Sequence, residues 1–177
     1  MSESELEQLS QHCGWLLLQN HWLLSTAESC TGGWVAQIIT AVAGSSSWFD
    51  RGFVTYSNAA KQEMLGVSST TLATHGAVSE ATVLEMAQGA LRYSQAQVSI
   101  AISGIAGPSG GSVEKPVGTV WIGWALPGRS FATQFLFPGD RTAIRQQAVH
   151  AALAQLQQEL TKPLNCTIMT TTKPNSL

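Results

Sequence analysis

Two turns in this chain hold the residue types that acyl-transfer chemistry needs. The first, Ala27-Glu28-Ser29-Cys30-Thr31-Gly32-Gly33, gathers two hydroxyls and a thiol beside two glycines. Gly32 and Gly33 lack a Cβ, so backbone N–H groups there can approach an oxyanion or phosphate closely or take up positive φ. The second, Tyr56-Ser57-Asn58 followed by Lys61, offers a base. A hydrolase of this kind requires a nucleophile, a group to take its proton, and donors aimed at the developing oxyanion. Lysine takes the proton when burial or a nearby cation has stripped its own. Two serines compete as its partner. Ser57 lies four residues earlier on the same short helix; Ser29 is distant in sequence but at the mouth of a neighbouring parallel strand. Only Ser29 has Gly32 and Gly33 downstream as oxyanion donors, which makes it the stronger design. Taken alone, the first turn is a helix cap and an isolated lysine is a solvated surface residue.

Other candidates are weaker. His21, His75 and His150 have no carboxylate at motif spacing to orient them. A Cys30/His75 pair ranks below the serines, because Cys30 has the character of a small buried residue. The glycine-rich stretch from Gly104 to Gly111 lacks the Gly-Lys-Ser/Thr of a phosphate loop, since Lys115 stands between Glu114 and Pro116. It is either a nest of N–H groups for an anion or a plain connection. Arg141 and Arg145, four apart at the start of the last helix, either hold an anion on one face or pair with carboxylates.

These residues must be positioned by the elements around them. Leu6, Leu9, Cys13, Leu16 and Leu17 mark an amphipathic helix over Glu3 to Gln19, and Trp22 to Ala27 is expected as a short buried strand. Trp34, Val35, Ile38, Ile39 and Val42 repeat at helical spacing after the first turn, and Ala43-Gly44-Ser45 stops that helix. Ser45 to Trp48 is expected as a loop, Gly52 to Tyr56 as a strand, and Ser57 or Asn58 as the cap of a short helix through Met64. Ser79 caps the next helix, in which Gly89 is a minor weakness. Gln97 to Ser103 is a strand. Gly118 to Ala125 and Ser130 to Phe137 form an antiparallel hairpin across Pro127-Gly128. A long helix runs from about Asp140 to Leu160, and the Thr/Asn-rich tail over 164–177 is expected to be disordered. This order predicts a three-layer α/β/α sandwich with a mixed, mostly parallel sheet, in a single domain over 1–163.

Composition narrows the partners. Nine Lys plus Arg against eleven Asp plus Glu give a net charge of -2, with no basic block to neutralise phosphates, so nucleic acid is not an expected partner. Charged residues make up only 11% of the chain, which leaves room for self-association. Three widely spaced cysteines without a CxxC pair indicate neither a disulfide framework nor a zinc site, and fit a reducing cytoplasm. An acidic start and the lack of a membrane-length apolar run predict no export and no membrane.

Six segments in order, Ala27 to Gly33, Gly44-Ser-Ser-Ser-Trp-Phe49, Gly52 to Asn58 with Lys61, His75-Gly-Ala-Val-Ser79, Gly104-Ile-Ala-Gly-Pro108 and Lys115 to Trp121, closely resemble the CinA C-terminal domain family. The resemblance spans Leu6 to Leu160. It does not extend to the amino-terminal pyrophosphatase-like domain of longer members. Standalone members convert nicotinamide mononucleotide and water to nicotinate mononucleotide and ammonia, feeding NAD synthesis. The resemblance therefore implies a serine amidohydrolase with Ser29 as nucleophile and Lys61 as base, Tyr56 beside them, no metal or cofactor, and often a homodimer. It further implies substrate contacts at Thr31, Gly32, Gly33, Asn58, Gly104, Gly107 and Arg145. A non-catalytic nucleotide-binding paralogue of the same fold is the alternative.

Overall fold

The computed structural model describes residues 2–162; the expectation for the tail falls outside them. Strand β1 (Leu24–Glu28) is buried at every position, as a strand covered on both faces must be. It pairs in parallel with β2 (Phe49–Val54) on one side and β3 (Val98–Gly104) on the other. β4 (Thr119–Leu126) and β5 (Arg129–Leu136) follow antiparallel, giving the order β2-β1-β3-β4-β5. The sheet is mixed, as expected, but it is not mostly parallel, because two of its four pairings are antiparallel. The physical reason lies between β3 and β4. A parallel return needs a crossover element, and the glycine-rich 105–118 connection contains no helix, so β4 comes back antiparallel to β3.

Side-chain alternation divides the core in two. Val98, Ile100 and Ile102 of β3, with Val120, Ile122 and Trp124 of β4, face the helices α1 (Glu3–Gln19), α2 (Trp34–Ala41) and α6 (Arg141–Thr161). Ala101 and Ala125 face the other way, toward α3 (Asn58–Leu65), α4 (Ser69–His75) and α5 (Glu80–Arg92). Size follows face. Small residues let α5 lie directly on the sheet, and a Cβ at Gly123 would come within 2.9 Å of the Val83 carbonyl. On the opposite face Trp124 fills the larger gap, stacking on Phe131 and donating its indole N–H to the Ala152 carbonyl at 3.0 Å.

Most helices and strands fall where expected, with differences at their edges. β1 begins at Leu24 rather than Trp22, and β2 begins at Phe49 rather than Gly52, because the half-exposed edge residues Asp50 and Arg51 conceal its start. Ser45–Ser47 is a 3-10 turn rather than an open loop. α4 was not foreseen. Its Ser-Ser-Thr-Thr start has little apolar periodicity, and it is held instead by the Ser68 cap and by Glu85, which accepts from the Ser68 N–H and the Thr71 hydroxyl.

Candidate active site

Ser29 follows the last residue of β1, and its N–H donates to the Ile102 carbonyl at 2.9 Å. On the neighbouring strand, Thr55 N–H donates to the Glu28 carbonyl at 2.8 Å, which extends the parallel ladder by one bond. The chain then turns at Ser57, whose hydroxyl accepts the Ala60 N–H at 3.0 Å and so caps α3. One turn into that helix, Lys61 points back at the sheet. Its Nζ lies 3.0 Å from Ser29 Oγ and 2.9 Å from the Thr55 carbonyl. The choice between two serines is thus decided by geometry: Ser57 is the cap and Ser29 is the partner.

Lys61 is only 1% exposed. It forms no ion pair among the described residues. Burial pushes its amine below the usual lysine range, with the neighbouring Cys30 acting in the opposite direction. A neutral amine that donates to the Thr55 carbonyl keeps its lone pair for the Ser29 hydroxyl proton. The arrangement therefore sets a hydroxyl against an amine whose burial disfavours the cation.

The turn itself departs from expectation. Gly32 (φ 62°) and Gly33 (φ 95°) do take positive φ, yet neither N–H is open to an oxyanion. Gly32 N–H donates to the Ser29 carbonyl at 3.0 Å. Gly33 N–H donates to Glu28 Oε2 at 3.0 Å, and the same carboxylate takes the Val35 and Ala36 N–H groups of α2. The amino-terminal end of α2 is thus already capped. Among the described residues the N–H groups of Cys30 and Thr31 have no acceptor. The Thr31 and Thr55 hydroxyls are buried without a partner there.

Arg145 holds this turn from α6. Its Nε donates to the Cys30 carbonyl at 3.0 Å and its terminal nitrogen to the Thr31 carbonyl at 2.8 Å, while its guanidinium lies over Trp34. In a trans peptide the N–H points opposite the C=O, so fixing the Cys30 carbonyl also fixes the direction of the Thr31 N–H. Arg141 bridges two other loops, donating to the Gly107 carbonyl at 2.7 Å and to the Tyr56 hydroxyl at 2.8 Å. Neither arginine pairs with a carboxylate among the described residues. Tyr56 is 60% exposed and Asn58 is exposed at the first position of α3. Gly104 ends β3 opposite Val120, packed so closely that a Cβ would meet Val120 and the Thr119 carbonyl. Structure thus brings Ser29, Lys61, Thr31, Gly32, Gly33 and Arg145 around one turn, and links Tyr56 to Gly107 through Arg141.

Cys30 is set aside as a nucleophile. Burial pushes its thiol up to about 11, which removes the thiolate near neutral pH. Among the described residues no three His, Cys, Asp or Glu side chains gather as a metal site. A depression of about 470 Å³, bounded by Glu3, Leu6, Gly32, Trp34, Arg145 and Thr142, adjoins the turn without reaching Ser29 or Lys61. Sequence reasoning missed Glu28 and Thr55. Glu28 caps from five to eight residues upstream, beyond the Ncap-to-N3 spacing by which such residues are recognised, and Thr55 acts through its backbone, which no residue type reveals.

Fold and site together define an α/β sandwich with a buried serine–lysine pair at the mouth of its parallel strands. The chain belongs to the CinA C-terminal domain family, whose model matches residues 6–160. It is similar to the nicotinamide-nucleotide amidohydrolase PncC of Escherichia coli (strain K12), with 56% identity over 160 residues, 90% of this chain and 97% of that protein. A protein of the same name from Enterobacter agglomerans is 55% identical over 163 residues, 92% of this chain and 99% of that one. Of solved structures, competence/damage inducible protein CihA from Agrobacterium tumefaciens superimposes with a TM-score of 0.86 at 44% identity, covering 92% of this chain and 98% of that one.

Proposed function

We propose that this chain hydrolyses the carboxamide of nicotinamide mononucleotide to nicotinate mononucleotide and ammonia, with Ser29 as nucleophile and Lys61 as base. The single observation that carries the mechanism is the 3.0 Å contact between a buried lysine amine and Ser29 Oγ. Similarity over nearly the full length of amidohydrolases named for this substrate class supports the choice of amide.

Neutral Lys61 takes the Ser29 proton as Oγ attacks the carboxamide carbon. The resulting oxyanion is held by the N–H groups of Cys30 and Thr31, in place of the Gly32 and Gly33 groups already committed within the turn. The Lys61 ammonium then gives its proton to the departing nitrogen, the C–N bond breaks, ammonia leaves and an ester to Ser29 remains. Water attacks that ester while Lys61 takes one of its protons. Collapse frees the nicotinate carboxyl, and Lys61 returns the proton to Ser29 Oγ. Thr31, Asn58, Tyr56, Gly104, Gly107 and Arg145 complete the pocket, with no cofactor in the cycle.

The reading includes a single amidohydrolase domain over 1–163 and a cytoplasmic homodimer. No helix among the described residues is long and apolar enough to cross a membrane. Val54, Tyr56 and Met64 leave exposed apolar surface close to α3 for a second copy.

Ammonia release from nicotinamide mononucleotide tests the mechanism. Ser29→Ala and Lys61→Ala should each abolish turnover above background, whereas Ser57→Ala should retain it apart from the cost of a lost cap, about 1 kcal/mol of stability. Full activity in Ser29→Ala sinks the mechanism. Calorimetric binding of the mononucleotide by the wild type without any ammonia release favours the non-catalytic alternative.

A further inference from the structure

Glu28 occupies the last position of β1 and is 1% exposed, with no cationic partner among the described residues. Its carboxylate accepts three backbone N–H groups, Oε2 from Gly33 and Val35 at 3.0 Å each and Oε1 from Ala36 at 2.9 Å. A carboxylate suits a helix amino terminus, where unpaired N–H groups and the helix dipole favour negative charge. This one reaches that terminus from the strand on the other side of the nucleophile. The turn from Ser29 to Gly32 is therefore closed at both ends by one residue, with the Glu28 main chain before it and the Glu28 side chain bonded to Gly33 after it.

The same residue reaches the base by its main chain. Its carbonyl accepts the Thr55 N–H at 2.8 Å, and the Thr55 carbonyl accepts Lys61 Nζ at 2.9 Å. Alternation along the strand sends the two neighbours to opposite faces. Glu28 turns toward α2 on the side of the larger core, and Ser29 turns toward Lys61 of α3. The carboxylate oxygens are engaged by helix N–H groups, so Glu28 neither touches Ser29 Oγ nor exchanges its proton.

We propose that Glu28 is a positioning residue for the hydrolysis, its side chain setting where Ser29 Oγ stands and its carbonyl setting where Lys61 is anchored. The inference rests on the serine–lysine reading above. An ordinary cap contributes to stability and leaves each folded molecule equally fast. A positioning residue changes the rate of the folded molecule, because a displacement of about 1 Å at reacting atoms lowers rate by about 10²-fold.

Glu28→Gln and Glu28→Asp separate these. Glutamine keeps the volume but sets an NH2 donor against a helix N–H; aspartate keeps both acceptors but is one methylene short. With folded protein quantified by circular dichroism, Glu28→Gln should lose about 10²-fold in kcat while KM stays within about twofold, and Glu28→Asp should fall between it and wild type. Covalent labelling of Ser29 by a fluorophosphonate, followed by intact mass, should slow in the same order. Unchanged kcat per folded molecule in either variant overturns the inference, as does a loss that tracks only the folded fraction. Ser29→Ala runs beside them. Activity surviving in Ser29→Ala removes the underlying mechanism, whereas its loss together with normal Glu28→Gln and Glu28→Asp enzymes removes the role of Glu28 alone.

Discussion

Lys61 sits where water cannot solvate its cation, with a hydroxyl and a carbonyl as its only polar partners among the described residues. Its amine consequently titrates below the ordinary lysine value of 10.5, mainly through burial. On the proposed mechanism, in which the neutral amine is the base, the rate should climb with pH through that depressed value and level off above it. Stability carries the matching sign. Between the folded value and 10.5 the unfolded chain holds one more proton than the folded one, so stability rises with pH across that window. Lys61→Met abolishes the titration. Calorimetry of both proteins should show the melting temperature of Lys61→Met gaining on wild type as pH falls from 10.5 to the folded value, then a constant offset below it. A gap that does not change with pH would contradict a depressed amine. Ser29 and Lys61 could be singled out in the sequence as candidates because the chemistry proposed for them resides in side-chain type, and the structure sets the two in contact. The fate of the Gly32 and Gly33 N–H groups was not legible there, because glycine reports freedom of the backbone and says nothing about which acceptor the N–H finds.

At the scale of elements, α3 is what brings Lys61 to Ser29, and α3 leans on α5. Gly89 of α5 lies against the Leu65 carbonyl at the end of α3, where any Cβ would collide with the backbone. The helix propensity that made Gly89 look like a weakness is thus overruled by packing. Gly89→Ala should destabilise by about 1–3 kcal/mol through overpacking. It should also lower kcat, because α3 must shift and carry Lys61 with it; thermal melts and ammonia release read the two effects. A normal melting temperature would show that α3 does not need this contact. Elements with clear apolar periodicity, such as α1, α2 and α6, were legible. α4 was not, because polar bonds from Ser68 and Glu85 hold it in place. Sheet direction was half legible. A helical crossover signals a parallel pair, whereas the long glycine-rich connection after β3 carries no such signal and conceals an antiparallel return.

Across the whole molecule, two cores flank one sheet, and the turn that bears Ser29 stands at the mouth of its parallel strands. Few charges are needed to hold it. The three ion pairs among the described residues involve Asp50 and Glu159, both away from the turn, while the turn is held by the Glu28 carboxylate and the Arg145 guanidinium, each bonded to backbone groups. That explains why composition, which counts charges, says so little about the site. Arg145 reaches back over 115 positions to the Cys30 carbonyl. A ribosome delivers Ser29 and Lys61 early, but a domain generally folds as a unit. The guanidinium that clamps the turn arrives only with α6. On the proposed mechanism, a nascent chain without α6 carries Ser29 and Lys61 but not the clamp on the turn between them, and amide hydrolysis should begin only once α6 is in place.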